Sequence, residues 1–173
     1  MSTYEEKVIR LRPLEWVDAE KYREWVNDPE IMSLVDRVLP VTTEDHRRWY
    51  EALSKDPHTV IFGVESLVEK NFIGCVWLHS IDYRHRHAEV RIVIGDKRSW
   101  GKGGGRQALQ LLANFAFEKL NLHKVYAFVL STNQRALDAF EKIGFSREGL
   151  LQQERFVDGA FVDVIRLGLV NKT

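Results

Sequence analysis

A glycine-rich loop between a predicted strand and a predicted helix constrains this chain more than any other feature. Residues 101–105 contain four glycines. The apolar run from His87 to Gly95 precedes them and predicts a strand, and a helical pattern from Gln107 to Leu120 follows. Glycine lets a backbone approach a ligand closely, and the free N–H groups at a helix N-terminus attract anions. The arrangement therefore predicts a phosphate-type site, to which Lys102 and Arg106 add positive charge.

The spacing of the loop separates it from other phosphate-binding motifs. It contains neither GxxxxGK[ST] nor GxGxxG. The pattern Trp100-x-x-Gly103-x-Gly105 resembles the acyl-CoA pyrophosphate loop of the GNAT superfamily of N-acetyltransferases, usually R/Q-x-x-G-x-G/A, with Trp at the first place. A glycine-rich helix C-cap and turn is the alternative interpretation. The position of the loop before a helix, rather than after one, disfavours it.

A second segment strengthens the resemblance. The stretch from Asn133 to Phe145 is similar to the family's N-x-x-A-x-x-x-Y/F-x-K-x-G-F and follows the first motif in the expected order. Two motifs in the expected order occur in one chain by chance far less often than either motif alone. The Trp form of the loop is typical of the branch that acts on ribosomal proteins, polyamines and amino sugars. Trp25 to Glu30 and Thr43 to His46 resemble the acetyltransferases of amino-sugar nucleotides.

The rest of the pattern predicts a single α/β (α+β) domain over residues 1–173, with the element order β-α-α-β-β-β-α-β-α-β-β. This is also the order of the GNAT fold, a mixed, mostly antiparallel sheet flanked by helices. Lys7 to Arg12 predicts the first strand, Asp18 a helix cap, and Ile31 to Val41 an irregular stretch. The later predictions are a helix from about residue 43 to 53, strands at 59–65, 71–80, 125–130, 145–156 and 160–170, and a helix at 134–143.

Composition narrows the class of protein. Lys plus Arg equals Asp plus Glu at 25 each, which argues against nucleic acid or a membrane surface as partner. The polar start from Met1 to Lys7 and the lack of a long apolar run predict a cytoplasmic protein without a signal peptide. Cys75 stands in an apolar strand pattern and is expected to be a buried thiol. The two histidines of residues 84–87 have no third ligand nearby, so a solvated loop is expected and no metal.

The resemblance also implies positions for the cosubstrate acetyl-CoA. The strand would pair with pantetheine, and a backbone N–H near Val93 or Ile94 would polarise the thioester oxygen. The glycine loop would hold the pyrophosphate, and the segment around Asn133 would contact the other side of the cofactor. The complete set of expected cofactor-binding residues is Ile92, Val93, Ile94, Trp100, Gly101, Lys102, Gly103, Gly104, Gly105, Arg106, Asn133 and Phe140.

Glu89 is the candidate catalytic base. It lies early on the strand that would carry the thioester, at the place of the glutamate that histone acetyltransferases of the superfamily use. An alkylammonium has a pKa of about 10, so a proton must leave before the amine attacks. The alternative is that Glu89 pairs with a nearby arginine on a solvated face. The candidate partners are Arg84, Arg86 and Arg91.

The proton donor to the leaving thiolate has no obvious residue. Many family members have Tyr where this chain has Phe140, and Phe cannot donate a proton. Another group donates, or the thiolate leaves unprotonated, which its pKa of about 8 to 9 allows. Tyr126 is one candidate for the missing proton donor. The alternative is that Tyr126 is only an aromatic residue of the core.

The implied reaction is acetyl transfer from acetyl-CoA to a primary amine of a small molecule. An amino-sugar nucleotide is the leading acceptor, and a polyamine or a ribosomal-protein N-terminus is the alternative. Trp25 and Trp77 are candidates for the substrate cleft, and a homodimer is the expected self-association. The alternative from another class of protein is a non-catalytic regulatory domain that binds acyl-CoA on the same fold. This alternative stays open because position 140 has Phe where many family members have Tyr.

Overall fold

The structure is a computed structural model that describes residues 4–5, 8–35 and 37–172. Within them lie eight strands and five α-helices, with a short 3₁₀ turn at Lys97–Ser99. The strands are β1 Tyr4–Glu5, β2 Ile9–Pro13, β3 Val60–Ser66, β4 Asn71–Asp82, β5 His87–Ile94, β6 Lys124–Leu130, β7 Ser146–Val157 and β8 Ala160–Val170. The helices are α1 Trp16–Val26, α2 Pro29–Leu34, α3 Thr43–Leu53, α4 Gly104–Glu118 and α5 Gln134–Lys142.

One sheet holds all eight strands, in the order β1-β2-β3-β4-β5-β6-β8-β7. Every neighbouring pair is antiparallel except β5 and β6. The parallel pairing covers three positions and ends at Glu89 and Tyr126. Beyond that point β5 continues to Ile94 and β6 to Leu130 without pairing to each other. The two strands therefore separate, and the sheet is split between their carboxyl ends.

Helices cover both faces of the sheet. On one face α4 and α5 pack on the larger core, which includes Val90, Leu112 and Leu137. On the other face α1 and α2 close a second core around Trp25 and Cys75. Cys75 is fully buried, which confirms the expected buried thiol, and burial raises the pKa of that thiol. The side chains of β5 alternate between the two cores because neighbouring residues of a strand point to opposite faces.

The predicted fold class, a mixed and mostly antiparallel sheet flanked by helices, is confirmed. Two elements, β1 and α2, were not anticipated. A short strand, β1, precedes the predicted first strand, whose observed range is Ile9–Pro13; its predicted start at Lys7 lies outside the described residues. Within the described residues, no helix is both long and apolar enough to cross a membrane.

The segment from Ile31 to Val41 was wrongly expected to be irregular throughout. It begins within α2, because the Asp28 carboxylate accepts hydrogen bonds from the Glu30 N–H at 2.9 Å and the Ile31 N–H at 3.4 Å, and Pro29 suits a first helical turn. Asp36 lies outside the described residues.

The cap predicted for α1 was also misplaced. The helix begins at Trp16, and Glu15 is its N-cap. Asp18 is the third helical residue, and its carboxylate accepts a hydrogen bond from the Glu15 N–H at 2.9 Å. The two residues form a capping box. Asp18 therefore stabilises the start of the helix from the third helical position and not from the N-cap position.

Candidate active site

The split between β5 and β6 opens into a cleft of about 700 Å³. Its walls are the end of β5, the glycine loop with the first turns of α4, α5 with its N-cap, and α2. Eleven of the twelve residues expected to bind the cofactor line it: Ile92, Val93, Ile94, Trp100, Gly101, Lys102, Gly103, Gly105, Arg106, Asn133 and Phe140.

Glycine is needed in the loop for backbone conformation. Gly101 and Gly103 have φ angles of 74° and 86°, in the left-handed region, and a Cβ at either would meet no protein atom within 4 Å. Gly103 is the N-cap of α4, so this conformation starts the helix at Gly104, three residues before the predicted start. The loop therefore leaves open space beside the free N–H groups of the first helical turn.

Gly104 differs from the other loop glycines and does not line the cleft. It is buried, and a Cβ there would lie 3.3 Å from Ile9 Cγ2 and 3.5 Å from Ile73 Cδ1. Gly104 thus lets α4 pack closely on the sheet. Only its backbone N–H remains available to a ligand.

Trp100 connects the two sides of the cleft. Its indole N–H donates a hydrogen bond to the Ile94 carbonyl at 2.6 Å. The Arg135 guanidinium lies 3.7 Å from the centre of the Trp100 ring, from the first turn of α5. Burial lowers the pKa of Arg135. Sequence reasoning missed Arg135, although its place two residues after Asn133 on a helix facing the loop was an available signal.

The cleft is electropositive. Lys102, Arg106, Arg135 and Lys142 line it, against the single carboxylate of Asp138 among its described residues. These side chains and the start of α4 suit a pyrophosphate, whose charge is negative.

Asn133 and Phe140 lie on the α5 wall of the cleft. The Asn133 side chain caps α5 by accepting a hydrogen bond from the Ala136 N–H at 3.2 Å. Phe140 is 3% exposed and packs edge-on against Phe145, with ring centres 5.0 Å apart. Its ring faces the cleft without a hydroxyl, so the α5 wall supplies no proton donor at this position.

Glu89 lies at the apex of the split, outside the residues that line the cleft. Its side chain is 14% exposed and forms a bidentate pair with Arg91, with Nε–Oε1 at 2.8 Å and Nη2–Oε2 at 3.1 Å. The pairing with Arg91 was one of the alternatives raised by the sequence, although the carboxylate is far less solvated than that alternative assumed. Glu89 shares a strand face with Arg91 and Val93, opposite the face covered by α4.

Tyr126 stands opposite Glu89 in the parallel register. Its ring is half-buried beneath the Arg166 guanidinium at 4.4 Å and contacts His87 edge-on at 5.7 Å. Burial first, and then the Glu89 charge, raises the pKa of Tyr126. The described residues include no cluster of three or more metal-type ligands around His87 or elsewhere.

The two candidate substrate tryptophans have different environments. Trp77 is half-buried on β4 and lies opposite Arg91 in the register, on the Glu89 face. Trp25 is 9% exposed, stacks on Phe72 at 5.1 Å, and fills the space left by the missing side chain of Gly95. Trp25 is therefore a core residue outside the lining of the cofactor cleft, and its role in a substrate cleft stays a prediction.

A split sheet beside a glycine loop and an electropositive cleft defines an acyl-CoA-dependent acyltransferase architecture. Residues 9–146 match the acetyltransferase (GNAT) domain, and the chain belongs to this family. It is 34% identical over 159 residues to the spermidine N(1)-acetyltransferase of Vibrio cholerae, covering 92% of this chain and 91% of that protein. The corresponding enzyme of Escherichia coli K12 is 29% identical, over 92% of this chain and 84% of its own length.

Solved structures agree with the sequence relatives. The crystal structure of the Vibrio cholerae spermidine N-acetyltransferase in complex with CoA and spermine superposes with a TM-score of 0.88 at 33% identity, covering 94% of this chain and 95% of that one. A dodecameric structure of the same enzyme has a TM-score of 0.80 at 31% identity, over 94% of this chain and 93% of the other. The protein is an acetyl-CoA-dependent N-acetyltransferase.

Proposed function

We propose that the protein acetylates a primary amine of an aliphatic polyamine. The two spermidine N(1)-acetyltransferases described above support a polyamine over the amino-sugar nucleotide favoured by the sequence alone. The observation in the structure that carries the proposal is the position of Glu89, a carboxylate with little exposure at the apex of the β5–β6 split. A carboxylate there attracts an alkylammonium and can accept its proton.

The proposed cofactor site uses the unpaired half of β5. The Gly95 N–H bonds to Ile73 on β4, whereas the Ile94 carbonyl accepts from Trp100. Backbone groups of successive strand residues point in opposite directions, so the groups of Ile92 and Ile94 are directed to the split. Pantetheine would pair with these groups. Because the Ile94 N–H is directed to the split, it is a better candidate than the Val93 N–H to polarise the thioester oxygen.

The proposed phosphate contacts lie at the glycine-loop end of the cleft. The N–H groups of the glycine loop and of the first turn of α4 would bind the pyrophosphate, with Lys102 and Arg106 beside them. The thioester would then lie between the loop and Glu89, and the amine would approach from the Glu89 face of β5.

Glu89 would take the amine proton, directly or through water, as the nitrogen attacks the thioester carbon. The tetrahedral intermediate then breaks its C–S bond, giving the amide and the CoA thiolate. Because Phe140 cannot donate a proton, the thiolate is released as the anion, which its pKa of about 8 to 9 makes inexpensive near neutral pH.

The test is thiol release from acetyl-CoA with a panel of acceptors. The panel contains spermidine, spermine, an amino-sugar nucleotide and a peptide with the N-terminus of a ribosomal protein. We expect spermidine or spermine to give the highest kcat/KM. A preference of tenfold or more for the nucleotide or the peptide would contradict the polyamine assignment without affecting acetyl transfer itself.

We also propose that the chain associates with further copies of itself through the β7–β8 hairpin. Phe156 and Phe161 pack edge-on at 5.1 Å near its tip, yet are 58% and 66% exposed. A relative forms a dodecamer. Light scattering should show an oligomer that Phe156→Glu dissociates. A monomeric wild-type protein would contradict this proposal.

A further inference from the structure

The bidentate pair of Glu89 and Arg91 occupies the carboxylate that a cationic substrate would need. Both oxygens of Glu89 accept hydrogen bonds from the guanidinium, at 2.8 and 3.1 Å. Arginine stays charged at every physiological pH, so this partner cannot be removed by titration. An incoming ammonium therefore meets a carboxylate that is already neutralised.

We infer that Arg91 is an internal cation that competes with the substrate ammonium for Glu89, and so sets the selectivity of the enzyme for cationic amines. The inference rests on the proposed role of Glu89 in the acceptor site. In the wild-type protein Arg91 would therefore weaken the binding of cationic amines.

The exposure of the two partners makes the exchange feasible. The Arg91 side chain is 45% exposed, whereas that of Glu89 is 14% exposed. An ion pair with one partner so open to water contributes little, and its guanidinium regains hydration when it is released. Glu89, in contrast, cannot turn freely to water and needs a cation in place of Arg91. Substrate binding would therefore replace one cation with another at the same carboxylate.

The surroundings of Glu89 offer no other cation among the described ion pairs. On β4 it faces His79, and on β6 it faces Tyr126. Arg166, whose guanidinium lies over the Tyr126 ring, pairs with Glu148 at 3.4 Å. Arg91 is therefore the competitor that a single substitution can remove.

The first experiment compares steady-state kinetics of wild type and Arg91→Gln with spermidine at neutral pH. We expect KM to fall by roughly three- to tenfold and kcat to stay within about twofold, because a competitor for ground-state binding is lost. Arg91→Lys keeps a cation and should leave KM within about twofold. Arg84→Gln is the matched control, since it removes an exposed arginine from the turn before β5 and should leave KM unchanged.

A double-mutant cycle tests whether the effect passes through Glu89. The fall in KM caused by Arg91→Gln should disappear in a Glu89→Gln background, because the carboxylate for which Arg91 and the substrate compete is gone. A fall in KM that persists there, or that Arg84→Gln reproduces, would show a general field effect and overturn the inference. A tenfold or larger fall in kcat with unchanged KM would assign Arg91 to holding Glu89 in place, and unchanged constants would also overturn it.

Failure of the polyamine proposal remains distinguishable from failure of this inference. If the acceptor panel rejects polyamines, the same comparison uses the best cationic primary amine of the panel. If none turns over, calorimetric titration of spermidine into the CoA-bound proteins decides, with tighter binding to Arg91→Gln expected and equal binding overturning the inference.

Discussion

At the scale of single residues, the role of Glu89 decides the chemistry. If it is the base, Glu89→Gln should lower kcat/KM by roughly a hundredfold or more at neutral pH. The loss should shrink as pH rises, because more of the amine is already neutral. Glu148→Gln, which removes a carboxylate paired with Lys124 and Arg166, is the control. Identical pH–rate profiles for wild type and Glu89→Gln would remove Glu89 from the site.

The missing hydroxyl on α5 gives a second test. Phe140→Tyr keeps the ring and adds one hydroxyl to a side chain that lines the cleft and is nearly buried. We expect kcat to rise or to stay unchanged, since a donor near the leaving sulfur can only assist departure. Thermal unfolding should confirm that the variant is folded. A loss of several orders of magnitude in kcat would show that the thiolate leaves elsewhere.

At the scale of elements, the glycine loop carries the cofactor proposal. Gly103→Glu should abolish acetyl-CoA binding, because it places a carboxylate beside the anion-binding N–H groups and a side chain on a backbone with a φ of 86°. Gly159→Glu is a close match, since Gly159 also has a φ of 86° and open space at its Cβ, but lies in the β7–β8 turn. Calorimetry should show wild-type affinity for Gly159→Glu. Equal affinity in folded Gly103→Glu would contradict the pyrophosphate site.

The elements that the sequence predicted well are those with strong local chemistry. The loop glycines, the Asn133 cap and the long apolar strands carry their signals within a few residues of chain. The short helix α2 was not predicted because its six residues show too little periodicity. The pair of Glu89 and Arg91 could be predicted as an alternative from the sequence, because residues two apart on a strand share a face.

At the scale of the whole molecule, the contacts that sequence could not supply are those between distant segments. Trp25 is buried because Gly95, seventy positions later, leaves room for its ring. The split depends on β5 and β6 separating after three paired positions, which no local pattern records. Arg135 on Trp100 is a contact of the same kind, made across the cleft.

An ion-pair network ties the sheet to α1. Arg12 on β2 bonds to Glu65 on β3 at 2.6 Å and to Asp18 on α1, and Arg10 adds a bond to Glu65 at 2.8 Å. Burial alone would raise the pKa of Glu65, but the hydrogen bonds from Arg12 and Arg10 outweigh it, so the pKa is lowered. The ionised carboxylate therefore stabilises the fold above its unfolded pKa of about 4.3, and this stabilisation is lost as pH falls through the folded value.

Glu65→Gln should accordingly lower the free energy of unfolding by about 1.5–3 kcal/mol at pH 7, the usual range for hydrogen bonds to a charged group. The gap between wild type and variant should narrow as the pH falls below about 4, where the wild-type carboxyl begins to take up a proton. Urea unfolding at a series of pH values measures both curves. Glu44→Gln, on an exposed carboxylate of α3, is the control and should leave the neutral-pH stability nearly unchanged. A gap that stays constant down to pH 3 would show that Glu65 stabilises the sheet by packing and not by its charge.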